Sequence, residues 1–235
     1  TVIITDHHEV PYIEEGGERK ELLPPADAVI NPKQKDCGYP FKLLCGACVG
    51  AGLITALYDR FKINPKEKEE LLEYQAIATI GDVMDLTGDN RILVKEGLKR
   101  LHSTSNYGLR ALIEVNGLTA DQITPYHIGF VLGPCLNASG RLDTAKKALE
   151  LLCAGSPERA MELAAQLKEL NEERKAMTEK GVEEAALLVE ETDLKNDRVL
   201  VVYLPGCHES LAGIIAGRLR ERYHKPAFVL TRSED

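Results

Sequence analysis

The sequence predicts an α/β protein in two unequal parts with a long helix between them. Three observations predict it. Short β-branched runs, Val2-Ile3-Ile4-Thr5 and Ala28-Val29-Ile30, open the chain and are followed by helix-periodic stretches. A second pair of apolar runs, Val199–Tyr203 and Phe228-Val229-Leu230, flanks a single helix pattern near the other end. Between the two groups an unbroken helical pattern extends from Pro157 to about Glu191. The expected division is 1–155 for the first domain, 156–193 for the connecting helix and 194–235 for the opening of a second, smaller α/β domain.

Taken in order, Val2–Thr5 is predicted as a strand. Residues 9–27 are polar, with Gly16-Gly17 and Pro24-Pro25, and read as an excursion loop. Ala28–Ile30 is a second strand, parallel to the first in an α/β sheet and stopped by Asn31-Pro32, and residues 33–42 form a turn-rich loop. Leu43–Phe61 is apolar on most faces with small residues among them, which predicts a buried helix. Pro65–Thr79 starts charged and turns apolar, a helix whose later half enters the core and delivers Gly81-Asp82. Asn90–Leu101 and Tyr107–Val115 are amphipathic helices. Thr124-Pro125 has the form of an N-cap and first-turn pair, opening a short helix that runs into Gly133-Pro134. Leu136–Arg141 reads as a small-residue loop, with Asp143 or Thr144 capping the helix that leads to Cys153.

Gly155-Ser156-Pro157-Glu158 joins a stop signal to a start signal. The helix that follows is roughly 50 Å long at 1.5 Å per residue, longer than one layer of a compact domain, and is expected to act as a strut. Val199–Tyr203, helix Leu211–Tyr223 and Phe228–Leu230 then make a β-α-β unit.

Composition narrows the function classes. The chain has 235 residues, 44% hydrophobic and 28% charged, with no Trp. No apolar run approaches a membrane span, and no signal peptide precedes the first strand, so a cytoplasmic location is expected. The lack of an initiator Met reads as a fragment or a processed chain. The net charge of −8 excludes a broadly basic nucleic-acid surface. It is unevenly spread, since residues 194–235 carry seven Lys/Arg against five Asp/Glu and residues 1–193 carry 22 against 32. Six cysteines sit in apolar or glycine-rich stretches and read as reduced thiols. Cys45-Gly46-Ala47-Cys48 is a CxxC, but it lies in a helix read as buried, and neither a second CxxC nor clustered histidines complete a metal tetrad.

Four groups of residues could carry chemistry. Asp6-His7-His8 closes the first strand, and in open α/β sheets ligands collect at the carboxyl ends of strands. A carboxylate, a metal-ligating nitrogen and a second imidazole at one strand end suit metal-assisted hydrolysis of a phosphoester, with Mn²⁺ or Mg²⁺ as the metal. Adjacent side chains diverge, so one imidazole faces the metal and the other the phosphate. Asp82 is delivered from within the core by Ala76–Ile80, although its plain role is helix termination. Asn137-Ala138-Ser139-Gly140-Arg141 lets backbone approach a ligand, with Arg141 as the phosphate fork, unless it is an ordinary interhelix loop. His208-Glu209-Ser210 enters a helix whose first N–H groups suit an anion, with Ser210 alternatively a plain N-cap. Arg218, Arg220 and Arg222 read as a basic run on that helix, and His102, His127 and His224 as structural.

In this order the motifs resemble the DHH phosphoesterase superfamily, and within it the RecJ-type single-strand-specific exonucleases. The matching pieces are Asp6-His7-His8, Ala78-Thr79-Ile80-Gly81-Asp82-Val83, Gly133-Pro134-Cys135-Leu136-Asn137-Ala138-Ser139-Gly140-Arg141-Leu142-Asp143, and His208-Glu209-Ser210-Leu211-Ala212-Gly213-Ile214-Ile215-Ala216-Gly217-Arg218. The resemblance implies a two-metal phosphodiesterase, Mn²⁺ or Mg²⁺ dependent, that removes nucleotides from the 5′ end of single-stranded DNA during repair and recombination. Carried over, His7 and Asp82 are metal ligands and Asp6 is a ligand or its close support. His8 contacts the scissile phosphate, and Arg141, with Asn137, Ser139 and Gly140, holds a DNA phosphate. His208, Ser210, Gly213 and Arg218 bind the strand from the second domain.

The sequence departs from the family in two places. The acidic motifs that precede Asp-His-His in the family are not in this chain, so the fragment is expected to be inactive alone. Cys135 stands where many relatives carry Arg. The implied alternatives are a hydrolase of short oligoribonucleotides or cyclic dinucleotides, and a repair scaffold without metals. The first typically carries Gly-Gly-Gly-His, where this chain has Pro205-Gly206-Cys207-His208.

Overall fold

The computed structural model describes residues 1–64, 66, 69–142 and 144–232. The Pro65 start of the second expected helix and the Asp143 cap lie outside the described residues. The chain divides into two compact units, one of residues 1–105 and 117–133 and the other of residues 106–116 and 134–235. These units do not follow the three-part division expected from sequence, because the long helix packs inside the second of them.

In the first unit, β1 (Ile3–Thr5) pairs in parallel with β4 (Ala28–Ile30), with Ile3 opposite Ala28 and Thr5 opposite Ile30. The expected loop between them contains a hairpin. In it β2 (Tyr12–Glu15) runs antiparallel to β3 (Glu18–Glu21) across Gly16-Gly17, whose φ values are 62° and 84°. Two consecutive positive φ angles match the twist of the flanking strands, and glycine adopts them without a Cβ clash. The hairpin is solvated on most of its surface and the Arg19 guanidinium lies 3.5 Å over the Tyr12 ring. Its charged sequence hid its strands.

One helix packs beside β1, and two more pack in series behind it. Helix α1 (Gly46–Phe61) begins three residues later than expected, with Cys45 as its extended N-cap residue. Leu44, Cys45, Cys48 and Val49 form a small core with Ile30, Phe41, Ala78, Met84 and Leu93. Helix α2 (Leu71–Gly81) and helix α3 (Gly88–Leu101) meet at Gly97, where a Cβ would fall 2.2 Å from the Leu72 carbonyl oxygen. That approach is open only to glycine. The unit ends in a single helical turn, Pro125–His127, capped by Thr124 as expected, and a π-helical turn, Ile128–Leu132. The Gly133 N–H bonds to the Ile128 carbonyl. Pro134 has no N–H to give, and the ladder widens by one residue just before it.

In the second unit, α4 (Tyr107–Val115) is capped by Asn106, whose side chain accepts from the Leu109 N–H. Helix α5 (Gly133–Leu142) corrects an expectation, for Leu136–Arg141 is helical rather than a loop. Three of its small residues, Cys135, Ala138 and Ser139, are fully buried, so small size here permits packing rather than a turn. Helix α6 (Lys146–Leu152) follows.

Helix α7 (Pro157–Glu191) holds its expected start and end, with Ser156 accepting from the Arg159 N–H. Ala160, Leu163, Ala164 and Leu167 of its first half are buried on the side that meets α4 and α6. Its second half buries Ala185 and Val189 against β5 (Leu200–Tyr203) and α8 (Glu209–Tyr223). Each fully buried leucine contributes about 1.5–3 kcal/mol. Helix α7 is therefore a core element of this unit. β5 pairs in parallel with β6 (Ala227–Leu230) across α8, the expected β-α-β unit. No helix among the described residues is long and apolar enough to cross a membrane.

Candidate functional site

The candidate residues gather in two clusters, one in each unit. The first cluster begins where β1 ends. The Asp6 N–H still bonds to the Ile30 carbonyl, and the chain then turns away from the sheet. Asp6 makes that turn. Its Oδ1 accepts from the backbone N–H groups of His7 at 2.8 Å and His8 at 3.3 Å, and lies 2.7 Å from His8 Nδ1. The hydrogen bond with the His8 ring holds the Asp6 carboxyl below its ordinary value; burial opposes it, and the two backbone N–H groups add to the lowering.

The two imidazoles take different partners. The rings are 4.4 Å apart and tilted by 47°. His8 is bound to Asp6, whereas His7 Nε2 lies 3.3 Å from Asp82 Oδ2. Asp82 arrives as the C-cap of α2, its N–H on the Ala78 carbonyl. Val83 then takes φ 55°, a left-handed conformation that β-branched residues rarely adopt, with its side chain 88% exposed. Helix termination and delivery of the carboxylate are thus one feature.

Two supports of this cluster escaped sequence reading. Asn31, only 4% exposed, donates from Nδ2 to the His8 carbonyl at 2.9 Å and accepts from the Lys33 N–H. Asn-Pro after a strand was read only as a stop. Gly46, at the start of α1, leaves room for the His7 ring, since a Cβ there would sit 3.4 Å from His7 Cδ2. Beside it the Cys45 and Cys48 sulfurs are 3.4 Å apart, and Thr79 Oγ1 lies 3.6 and 3.4 Å from them. The hydrogen bond with Cys48 brings the Cys45 thiol down to about 6 against the opposing effect of burial, with the Thr79 hydroxyl and two backbone N–H groups adding to the lowering. The same pairing, with burial, pushes Cys48 up.

An imidazole nitrogen and a carboxylate oxygen that converge in a half-open position form a donor set suited to Mn²⁺ or Mg²⁺. His7 and Asp82 fit one edge of such a centre. Asp6 Oδ1 is committed to His8 and the turn, and among the described residues no group of three or more His, Cys, Asp or Glu is disposed to hold a metal.

The second cluster joins the third and fourth motifs. Arg141, at the end of α5, donates from Nη1 to the Ser210 carbonyl at 2.9 Å, and Ser210 Oγ donates to the Arg141 carbonyl at 3.0 Å. The N-cap of α8 is His208 rather than Ser210: its Nδ1 accepts from the Ser210 N–H and lies 2.8 Å from Ser210 Oγ. Arg174, on α7, carries no sequence signal beyond its place in the helix. Its Nε and Nη2 both donate to Asn171 Oδ1. Burial, then the neighbouring Arg141 cation, lower its affinity for its proton.

The other candidates stand apart from these contacts. Asn137 and Gly140 are exposed on α5. Ser139 is fully buried and donates to the Leu136 carbonyl of its own helix, so it is turned away from any phosphate. Gly213 is exposed in the second turn of α8. Arg218 pairs with Glu221 at 3.6 Å, more than two turns beyond His208, and has the character of a solvated face. Cys135 is buried, 3.6 Å from Asn171 Nδ2, and burial raises its thiol. It is a core residue in this fold.

Comparison with known proteins gives a consistent result, although no protein-family model matches the chain. It is 38% identical over 234 residues to the single-stranded-DNA-specific exonuclease RecJ of Bacillus subtilis, covering 100% of this chain and 28% of the relative. It is 36% identical over 248 residues to the protein of the same name from Escherichia coli, covering 100% of this chain and 41% of the relative. A crystal structure of exonuclease RecJ bound to manganese superposes with a TM-score of 0.80 at 32% identity, over 97% of this chain and 54% of that one. The chain thus spans less than half the length of these curated relatives.

Proposed function

Since the chain belongs with the RecJ-type members of the DHH phosphoesterase superfamily, we propose that it contributes to a metal-dependent exonuclease in the full-length protein. The proposed reaction is 5′-to-3′ hydrolysis of single-stranded DNA in repair and recombination. The observation that carries this reading is the convergence of His7 Nε2 and Asp82 Oδ2 at 3.3 Å. His7 and Asp82 would hold Mn²⁺ or Mg²⁺, and solved RecJ structures are named as bound to manganese and as complexes with Mg²⁺. When bound, such a cation supplies Lewis acidity at a phosphodiester oxygen and stabilises the charge that develops there.

The chain's own residues have distinct roles in this proposal. Asp6 fixes the His8 ring by accepting from Nδ1, which leaves Nε2 for a phosphate oxygen, to which the imidazolium form of the ring would donate. Asn31 holds the His8 main chain in place. Arg141 uses one N–H on the Ser210 carbonyl, and the guanidinium keeps further donors for a DNA phosphate. His208 and the backbone N–H groups of the first turn of α8 offer an anion-binding surface. Contacts of this kind read the backbone, not base edges, as a sequence-tolerant exonuclease requires. Residues 194–235 are taken as the opening of the substrate-binding domain. A cytoplasmic location belongs to the same proposal, supported by six free thiols.

Two converging donors are too few for a two-metal centre, so the isolated chain is expected to lack turnover. The test is release of nucleotides from 5′-labelled single-stranded DNA with Mn²⁺. The full-length protein should degrade it, and the isolated chain should not. Failure of the full-length protein on single strands, or robust turnover by the isolated chain, would overturn the reading.

A further inference from the structure

The CxxC at the start of α1 has no part in the proposed hydrolysis, yet its geometry is specific. Cys45 is the N-cap residue and Cys48 lies one turn on, 1% and 3% exposed, with their sulfurs 3.4 Å apart. Residues three apart in a helix have Cα atoms about 5 Å apart, within the span a disulfide bridges. Thr79 Oγ1 reaches both sulfurs from α2. Cys48 also lines an apolar cavity of about 340 Å³ with Ile30, Cys37, Tyr39 and Leu53. Small solutes therefore reach Cys48 through this cavity, and the Cys45 sulfur lies 3.4 Å from that of Cys48.

We propose that Cys45 and Cys48 are a dithiol site for a small peroxide, which oxidises them to a disulfide one residue from the wall of the His7 ring. The Cys45 thiolate attacks a peroxide oxygen. The O–O bond breaks, hydroxide leaves and takes up a proton to become water, and Cys45 becomes a sulfenic acid. The Cys48 sulfur then attacks the Cys45 sulfur, the S–O bond breaks, and the departing oxygen leaves as the second water with the Cys48 proton. Two electrons pass from the sulfurs to the peroxide. The depressed thiol of Cys45 makes it the attacking partner and Cys48 the resolving one. Gly46 connects this chemistry to the site, because it faces His7 from between the two cysteines.

The test is peroxide treatment of the chain, quenching with acid and alkylating agent, and peptide mapping by mass. The expected result is a loss of two mass units confined to a Cys45–Cys48 bridge, reversed by dithiothreitol and formed before exposed Cys153 is oxidised. In Cys48→Ala, dimedone should label Cys45 instead. A bridge to Cys37, oxidation confined to Cys153, or full alkylation of both Cys45 and Cys48 after unfolding would each overturn the proposal. The wild-type map decides the matter even if the variant does not fold.

Discussion

In the first cluster His7 and Asp82 meet only through their side chains, whereas in the second Arg141 and Ser210 each also grip the other's main chain. The first pair places a nitrogen and an oxygen 3.3 Å apart in a half-open position, a geometry a cation completes. The second is closed by its own hydrogen bonds and keeps spare donors for an anion. One cluster is built to be finished by what binds it, and the other is preassembled.

Three substitutions test that contrast. Asp82→Asn in the full-length protein removes the carboxylate charge while keeping the C-cap geometry. The loss is expected in kcat, on the order of 10³-fold, if the carboxylate supports several kcal/mol of charge stabilisation. Thermal stability should barely change, and a variant that kept its rate would place the metal elsewhere. Arg141→Lys keeps a cation but not the fork. It should weaken single-stranded DNA binding by about 10–100-fold, the value of a charged hydrogen bond of roughly 1.5–3 kcal/mol. The effect should appear in KM before kcat, and an unchanged KM would remove Arg141 from phosphate binding.

The smallest effect concerns strain. Val83→Gly relieves a left-handed conformation that costs about 1–2 kcal/mol, less the entropy glycine adds to the unfolded chain. A gain of about 0.5–1 kcal/mol in stability is expected from denaturant titration. Val83 is 88% exposed, so little packing is lost. A drop in stability would mean that the turn bearing Asp82 is not held as described.

Much of the fold was legible because its signals are local. Ser156-Pro157 marks the start of α7, Thr124-Pro125 the turn before the π segment, and the apolar run before Asp82 shows that it leaves the core. The misreadings also have physical causes. The hairpin at 12–21 is charged and solvated, so it lacks the apolar alternation that marks a buried strand, although Gly16-Gly17 carried the turn signal. Small residues between Leu136 and Arg141 looked like a loop because close packing and tight turning favour the same residue types. The role of Asn31 rests on a contact with His8, 23 positions away, and that of Gly46 on the His7 ring. Neither leaves a local trace. His208 took the cap from Ser210 because an imidazole nitrogen can accept from the helix N–H as a hydroxyl does.

The exchange between Arg141 and Ser210 also bears on the order of folding. The two residues are 69 apart in sequence, and closing a flexible loop of that length costs about 4 kcal/mol in chain entropy. Two hydrogen bonds of about 1 kcal/mol each cannot draw the ends together. The latch must therefore await the docking of α8 on α7, through Ile215 against Gly181 and the apolar cluster around Val189. An emerging polypeptide would assemble its hydrocarbon interior first and its anion trap last, so stray phosphates would meet no ready grip on the immature chain.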